Sequence, residues 1–280
     1  MTTEKPLDKK ILEWLEQQGY PLEMRVAKAF IDAGVSISLS VYYRDPENDT
    51  PREIDIVAGC QDGEFADYFM FSVEFAIECK KSSSPWVLFV KPGRSFGSVF
   101  RNGWVCSKIG STVKERLKYR NLSDNKLHNW SGNWAYGVTE ALRKGSPKTG
   151  DIPYKALMSC VKASHGLARL TEQKVWSSRY ADKVLFGSMT QPVIILDGKL
   201  FEASLNESGD LEIIETEEGI INFKYPFLNR ADEYVSVRIV TLPALPRFIS
   251  AAKETVEQLT DEVDAQQQAY KEHLIVEQKA

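Results

Sequence analysis

The chain alternates between two hydrophobic periods, and the switches between them mark its elements. Residues 8–18, DKKILEWLEQQ, place Ile11, Leu12 and Leu15 at helical spacing, with Gly19 as a stop. A second helix starts at Pro21, a good first-turn residue, and carries Leu22, Val26 and Phe30 on one face as far as Gly34. The period then drops to two. Val35, Ile37, Leu39, Val41 and Tyr43 alternate with Ser36, Ser38, Ser40 and Tyr42, which predicts a strand with those two faces. RDPENDTP (44–51) is a turn by its Pro, Asn and Asp content. REIDIVAG (52–59) is the next strand, and a third covers 70–80. After Pro85, WVLFV (86–90) continues that strand or forms a fourth.

Residues 91–151 break the pattern. They are rich in Gly, Ser, Asn and basic residues and read as an insertion, with a short basic helix over 111–121. Periodicity returns in a core helix over 152–170 and a buried strand over 191–198. KLFEASL, LEIIET, IINFKYPF and YVSVRIVTL follow with short spacers, which predicts antiparallel hairpins over 199–243. A C-terminal helix spans 246–276 with Val256, Leu259, Val263, Tyr270 and Leu274 on one stripe. That stripe packs on the domain or forms a dimer seam. The order of elements predicts the α/β class, with a mixed sheet, in a single domain over 1–280.

Composition narrows the setting. No apolar run approaches the roughly 18 residues that span a bilayer, and the charged start MTTEKPLDKK has no apolar signal region behind it. The expectation is a cytoplasmic protein with no membrane partner. Cysteines stand at 60, 79, 106 and 160 with no CxxC pair, and histidines only at 128, 165 and 273, which argues against a Cys/His zinc site. The net charge of −4 argues mildly against nucleic acid, but it hides an asymmetry. From Lys80 to Arg120 there are ten basic residues and one acid, Glu115. The acids gather elsewhere, as in NESGDLEIIETEEG (206–219). The basic stretch lines a phosphate-binding surface or is a solvated helix face.

The chemistry-bearing feature is the end of the third strand. In 71–80, Phe71, Val73, Phe75, Ile77 and Cys79 share one face, and Glu74, Ala76, Glu78 and Lys80 the other. Glu78 and Lys80 therefore point the same way, roughly 6–7 Å apart along the strand. In the strand before it, Ile54, Ile56 and Ala58 take one face, with Glu53, Asp55 and Val57 opposite. If the two strands are neighbours, Asp55 sits beside Glu78. Two carboxylates and a lysine at adjacent strand ends suit Mg²⁺, which takes hard oxygen ligands and binds phosphate oxygens as well.

Asp55 in REIDIVA, Glu78 with Lys80 in IECKK, and Glu23 in YPLEMRVAKAF resemble the motif of the PD-(D/E)xK nuclease superfamily, the restriction-endonuclease-like fold. The resemblance covers residues 20–90. Ile54 stands where the motif's name places Pro. The resemblance implies a restriction-endonuclease-like core of helix, three-stranded mixed sheet, helix and strand over 20–90 and 152–198, elaborated by the insertion, the hairpins and the C-terminal helix. It implies that Asp55 and Glu78 bind Mg²⁺, with Mn²⁺ as a substitute. Glu23 completes or orients the metal site, and Lys80 assists the nucleophile. The implied activity is phosphodiester hydrolysis, on double-stranded DNA first, in restriction, phage defence or repair. A homodimer or a partner protein is compatible with it. Lys81, Lys91, Arg94, Arg101 and Lys108 are the candidate nucleic-acid contacts.

Bland alternatives stand beside these. Glu78 and Lys80 can be an ordinary cross-strand ion pair at the surface. The fold can serve a non-catalytic nucleic-acid-binding or scaffold subunit, or an RNA-directed nuclease. The aromatic loop HNWSGNWAYG (128–137) anchors to the core more readily than it stacks on bases, and His165 and Cys79 read as structural.

Overall fold

A computed structural model of the chain describes residues 6–61, 69–91, 104–106, 127, 130–142, 151–177, 185–225, 234–255 and 257–258. Arg94, Arg101, Lys108, the basic helix over 111–121 and the C-terminal helix beyond 258 lie outside the described residues.

Two helices open the chain, α1 (Leu7–Glu16) and α2 (Tyr20–Asp32). α1 buries none of its side chains, whereas α2 buries Leu22, Val26, Ala27 and Phe30 along one face. Gly34 ends α2 in the left-handed region at φ 77°, so that Val35 N–H can reach back to Phe30 O. Strands β1 (Ser36–Arg44), β2 (Pro51–Gln61) and β3 (Phe69–Lys81) follow, each antiparallel to the next. β4 (Trp86–Lys91), β5 (Trp104–Cys106) and β6 (Trp134–Glu140) follow. The long helix α3 (Ile152–Ser177) leads to β7 (Leu185–Asp197), β8 (Leu200–Leu205), β9 (Leu211–Thr216), β10 (Glu218–Lys224) and β11 (Tyr234–Thr241). A 3₁₀ turn, Leu242–Ala244, opens α4 over residues 245–255.

The strands expected as a three-stranded core, a further strand and added hairpins all join one sheet among the described residues. Eleven strands form one mixed sheet in the order β1-β2-β3-β7-β11-β10-β6-β4-β8-β9, with β5 against β7. β10–β11 and β8–β9 are the hairpins that the short spacers predict. β11 also lies parallel to β7, and β10 parallel to β6. β6 begins inside the stretch expected to be an aromatic loop, and its Trp134 is buried.

β3 is the axis of the molecule. It pairs with β7 in parallel over its whole length, from Phe69↔Leu185 to Lys81↔Asp197. Both strands then break together and resume side by side as β4 and β8, starting at Trp86↔Leu200. Ser82 N–H donates to Asp197 O and Trp86 N–H to Lys199 O across the break. Gly198 is needed there, because a Cβ would lie 2.7 Å from Ser82 O. Along the strand order, β7, β11, β10 and β6 separate β3 from β4, so the sheet curls back on itself.

Two cores lie on the two faces. On one, Val73, Phe75, Ile77, Cys79, Met189, Val193 and Ile195 meet α2 and α4, with Phe75 edge-on to Phe248 at 5.2 Å. On the other, Ala76, Ile194 and Leu196 meet Ala156, Leu157, Cys160 and Val161 of α3, and the curled half adds Trp86, Leu88, Ile221 and Val237.

The alternation in β3 follows the predicted faces, but in β1 and β2 it fails. Ile56 and Ala58 belong to the α2 core, whereas Ile54 belongs to the α3 core. Likewise Val35 faces α2, whereas Tyr43 faces α3. The switch falls at Ser40, which has φ 50°, and at Asp55 opposite it in the ladder between Leu39↔Ile56 and Val41↔Ile54. A residue in the left-handed region re-aims the strand, so simple parity does not carry across it.

Candidate active site

Asp55 stands where β2 and β3 part. Their ladder is paired up to Ile56↔Ile77. One residue further, Asp55 Oδ2 accepts the Cys79 backbone N–H at 2.7 Å, taking the place of a strand carbonyl. The two strands splay around this carboxylate, and its other oxygen is left for different work.

Glu78 follows on β3 and is 8% exposed. Its Oε1 accepts Lys80 Nζ at 2.5 Å, and its Oε2 accepts Ser159 Oγ of α3 at 2.7 Å. Two-residue spacing on one strand explains the first contact. The second depends on α3 packing against this face. Glu23, partly buried in the first turn of α2, lies close enough to Lys80, Glu53 and Glu78 to feel their charges. The structure therefore brings Asp55, Glu78 and Lys80 together at the strand ends, with Glu23 near enough to feel their charges. It also places Asp55 beside Glu78, by the splay and not by the parity that suggested it.

The electrostatics are unbalanced. Burial and then the Glu78 carboxylate push the Asp55 pKa up to about 7, against the partial relief of the Cys79 N–H and Lys80. Burial also raises Glu23, offset by Lys80 and reinforced by Glu53 and Glu78. Burial alone would lower Lys80, but its contact with Glu78 outweighs this and holds the ammonium above its usual range. Several carboxylates thus share one ammonium. Cys79, buried against the α2 core, is pushed up by burial and by the same carboxylates, so its thiol stays protonated.

The site opens into a cleft of about 770 Å³. Glu78, Lys80 and Ser159 line it together with Arg52, Lys155 and Lys162. Glu53 lines it too, and two of the three cations beyond Lys80 (Arg52 and Lys162) are held in ion pairs. Lys162 bonds Asp45 at 3.2 Å and Glu47 at 2.6 Å, and Arg52 Nε bonds Asp45 at 2.5 Å. Asp45 also accepts the Glu47 N–H, and Tyr225 Oη donates to Glu47. This corner fastens the β1–β2 turn to α3 one turn away from Ser159.

Of the other expected contacts, Lys81 points toward the helices and donates to Glu16 O of α1 at 3.0 Å, away from the face of Lys80. Lys91 is exposed at the end of β4 and does not line the cleft. His165 lies parallel to the Tyr225 ring at 6.0 Å, a packing role. Trp130 stacks on the buried Arg238 guanidinium at 5.0 Å, so this aromatic segment anchors to the core.

Ser159 and the Asp45 corner were not anticipated. The helix 152–170 reads as apolar, yet Lys155, Ser159 and Lys162 recur at i, i+4 and i+7, one polar stripe facing the cleft. That stripe is the signal that could have found them.

Among the described residues, no three His, Cys, Asp or Glu side chains stand together as a ready metal cage. Asp55 and Glu78 still offer hard oxygens, and Mg²⁺ is commonly held by one or two carboxylates plus waters and phosphate oxygens. Burial first, and then the Glu78 carboxylate, drive Asp55 toward protonation, and a divalent cation beside the pair would offset that burden. Among the described residues, no helix is long and apolar enough to cross a membrane. Comparison of the chain with protein-family models, with curated proteins and with solved structures returns no match.

Proposed function

We propose that this chain is a Mg²⁺-dependent endonuclease of the restriction-endonuclease-like, PD-(D/E)xK kind, hydrolysing phosphodiester bonds in DNA. The observation that carries the reading is the meeting of Asp55, Glu78 and Lys80 where β2 and β3 part, with Glu23 of α2 within reach of their charges and Asp55 held near pKa 7 by burial and Glu78. Asp55 and Glu78 would hold the cation, with Glu23 beside them. When bound, the cation supplies Lewis-acid polarisation of the phosphate and a water activated at neutral pH.

The remaining steps belong to the chain's own groups. Lys80 is a proton holder, because its ammonium is stabilised by Glu78 and is not poised to take a proton. It orients the attacking water or neutralises charge developing on the phosphate. Ser159 fixes one oxygen of Glu78 and so aims the other. Arg52, Lys155 and Lys162 are the cleft cations beyond Lys80 that a phosphate backbone would meet, Arg52 and Lys162 being shared with Asp45 and Glu47.

Purified protein with Mg²⁺ or Mn²⁺ is expected to cut or nick duplex DNA, and parallel single-stranded DNA and RNA substrates rank the preference. Lys80→Ala is expected to lose roughly 10²–10³-fold in rate, and Asp55→Asn at least as much. Equal rates for both variants and the parent chain would sink the assignment.

A second reading rests on Glu78 itself. Both of its oxygens already have partners, which suits a non-catalytic nucleic-acid-binding or scaffold subunit. Titration with Mn²⁺ separates the two: the scaffold shows no cation site that depends on Asp55.

A further inference from the structure

At the far end of the strand order lies a surface of opposite character. β9 is the last strand, and among the described residues it pairs with β8 alone. Leu205, Leu211, Ile213 and Ile214 on this hairpin are 58–66% exposed. The backbone that holds them out is well fixed. Asn206 Oδ1 accepts the N–H groups of Ser208 and Asp210, Gly209 supplies the left-handed φ of 86°, and the register runs unbroken from Leu200↔Thr216 to Leu205↔Leu211. β9 has no Lys, Pro or bulge to blunt its edge, and its charged side chains, Glu212 and Glu215, are all acidic.

The charge of the hairpin narrows the occupant. Residues 205–218 carry Glu207, Asp210, Glu212, Glu215, Glu217 and Glu218 and no base. Lys199 pairs with Glu215, and Arg247 with Glu217 and Glu218. No ion pair among the described residues engages Glu207, Asp210 or Glu212. A second copy fits poorly, because an antiparallel self-pair centred on β9 sets Glu212 opposite Glu215. Nucleic acid is repelled by the same carboxylates.

We infer that β9 is a docking edge for an extended, lysine- or arginine-bearing segment of a partner protein, which adds to the sheet as a further strand. Main-chain hydrogen bonds to β9 give the affinity. Apolar side chains of the segment cover Leu211 and Ile213 on one face, while its cations meet Glu212 on the other face and Glu207 and Asp210 at the turn. The preformed hairpin spares the complex the ordering of one partner. The inference does not depend on the chemistry in the cleft.

The test uses the full chain and a labelled nine-residue probe of alternating Lys and Val with blocked ends. Fluorescence anisotropy is expected to show binding that weakens about tenfold between roughly 50 and 300 mM salt, with slowed amide exchange at residues 211–216. A Glu–Val probe of the same length, a Lys–Val probe with alternate backbone amides methylated, and Ile213→Glu protein with the original probe should each bind at least about tenfold more weakly. The last comparison is demanding, because the variant adds negative charge while removing apolar contact at an exposed position. The inference is overturned if the methylated probe binds as well, if protection falls outside β9, or if nothing binds at millimolar probe. It is equally overturned if the chain forms a concentration-dependent dimer that Ile213→Glu dissolves, since the edge then takes a second copy.

Discussion

Two aspartates ten residues apart meet opposite fates in the same hairpin. Asp45 is 1% exposed at the β1–β2 turn, and Asp55 lies partly buried on β2. Burial works against ionisation at both. At Asp45 the Glu47 N–H, Lys162 and Arg52 more than compensate, and its carboxyl stays below its ordinary range. At Asp55 one backbone N–H and a shared lysine fall short, and Glu78 makes matters worse. Desolvation therefore does not by itself mark a working group. What distinguishes Asp55 is the shortage of donors around it, and that shortage is what a cation or a proton fills.

The contrast can be broken most forcefully at Asp45. Asp45→Asn leaves Arg52 facing a neutral group and Lys162 with Glu47 alone, and is expected to destabilise the protein by about 1–3 kcal/mol in urea unfolding. Acid acts in the same direction, because a lowered carboxylate stabilises above its ordinary pKa of 3.8 and this contribution is lost as the pH falls through its folded value.

Asp55→Asn should do the reverse. Asn can still accept the Cys79 N–H, and the burden of an under-neutralised carboxylate disappears. The folded carboxyl titrates near 7 and the unfolded one near 3.8, so its contribution to stability is full below 3.8 and is lost as the pH rises toward 7. In EDTA at pH 8 the variant is expected to gain roughly 1–3 kcal/mol, about 3–8 °C in Tm, and at pH 4 to gain nothing. A loss at pH 8 like that of Asp45→Asn would erase the distinction.

Smaller effects sharpen it. Ser159→Ala removes one of the two donors on Glu78, at about 1 kcal/mol of stability. Cleavage should fall about tenfold and return with Ser159→Thr, which keeps the hydroxyl. Lys81→Ala is expected to change stability by less than about 0.5 kcal/mol and cleavage by less than twofold, since its amine sits on Glu16 O.

How far the sequence foretold this depends on the range of each contact. β3 obeys its alternation because β2 and β7 hold it in register on both sides, so the shared face of Glu78 and Lys80 was readable from VEFAIECKK alone. Glu23 was singled out by the motif resemblance alone, in the first turn of α2. The face of Asp55 was not readable by parity. It depends on Ser40 adopting a left-handed backbone, and nothing in SISLSVYY marks that serine from its neighbours. The width of the sheet was equally hidden, because β3–β7 and β6–β10 join parallel strands far apart in sequence. Ser159 was hidden for a different reason. Its polar stripe is visible, but its meaning exists only once α3 lies across β3.

The parallel seam between β3 and β7 also sets an order in time. The Glu74–Thr190 contact across it spans 116 positions. At roughly 5–20 residues per second, a ribosome needs about ten seconds between making the two strands. For that interval β3 has its β2 edge paired and its β7 edge bare. Ser159 reaches Glu78 only within the same interval, so the nascent chain emerges with its carboxylates unaimed. The frame around the site is complete only once β7 is made, and a chain arrested before residue 185 carries Asp55, Glu78 and Lys80 without the strand that pairs β3 on its second edge.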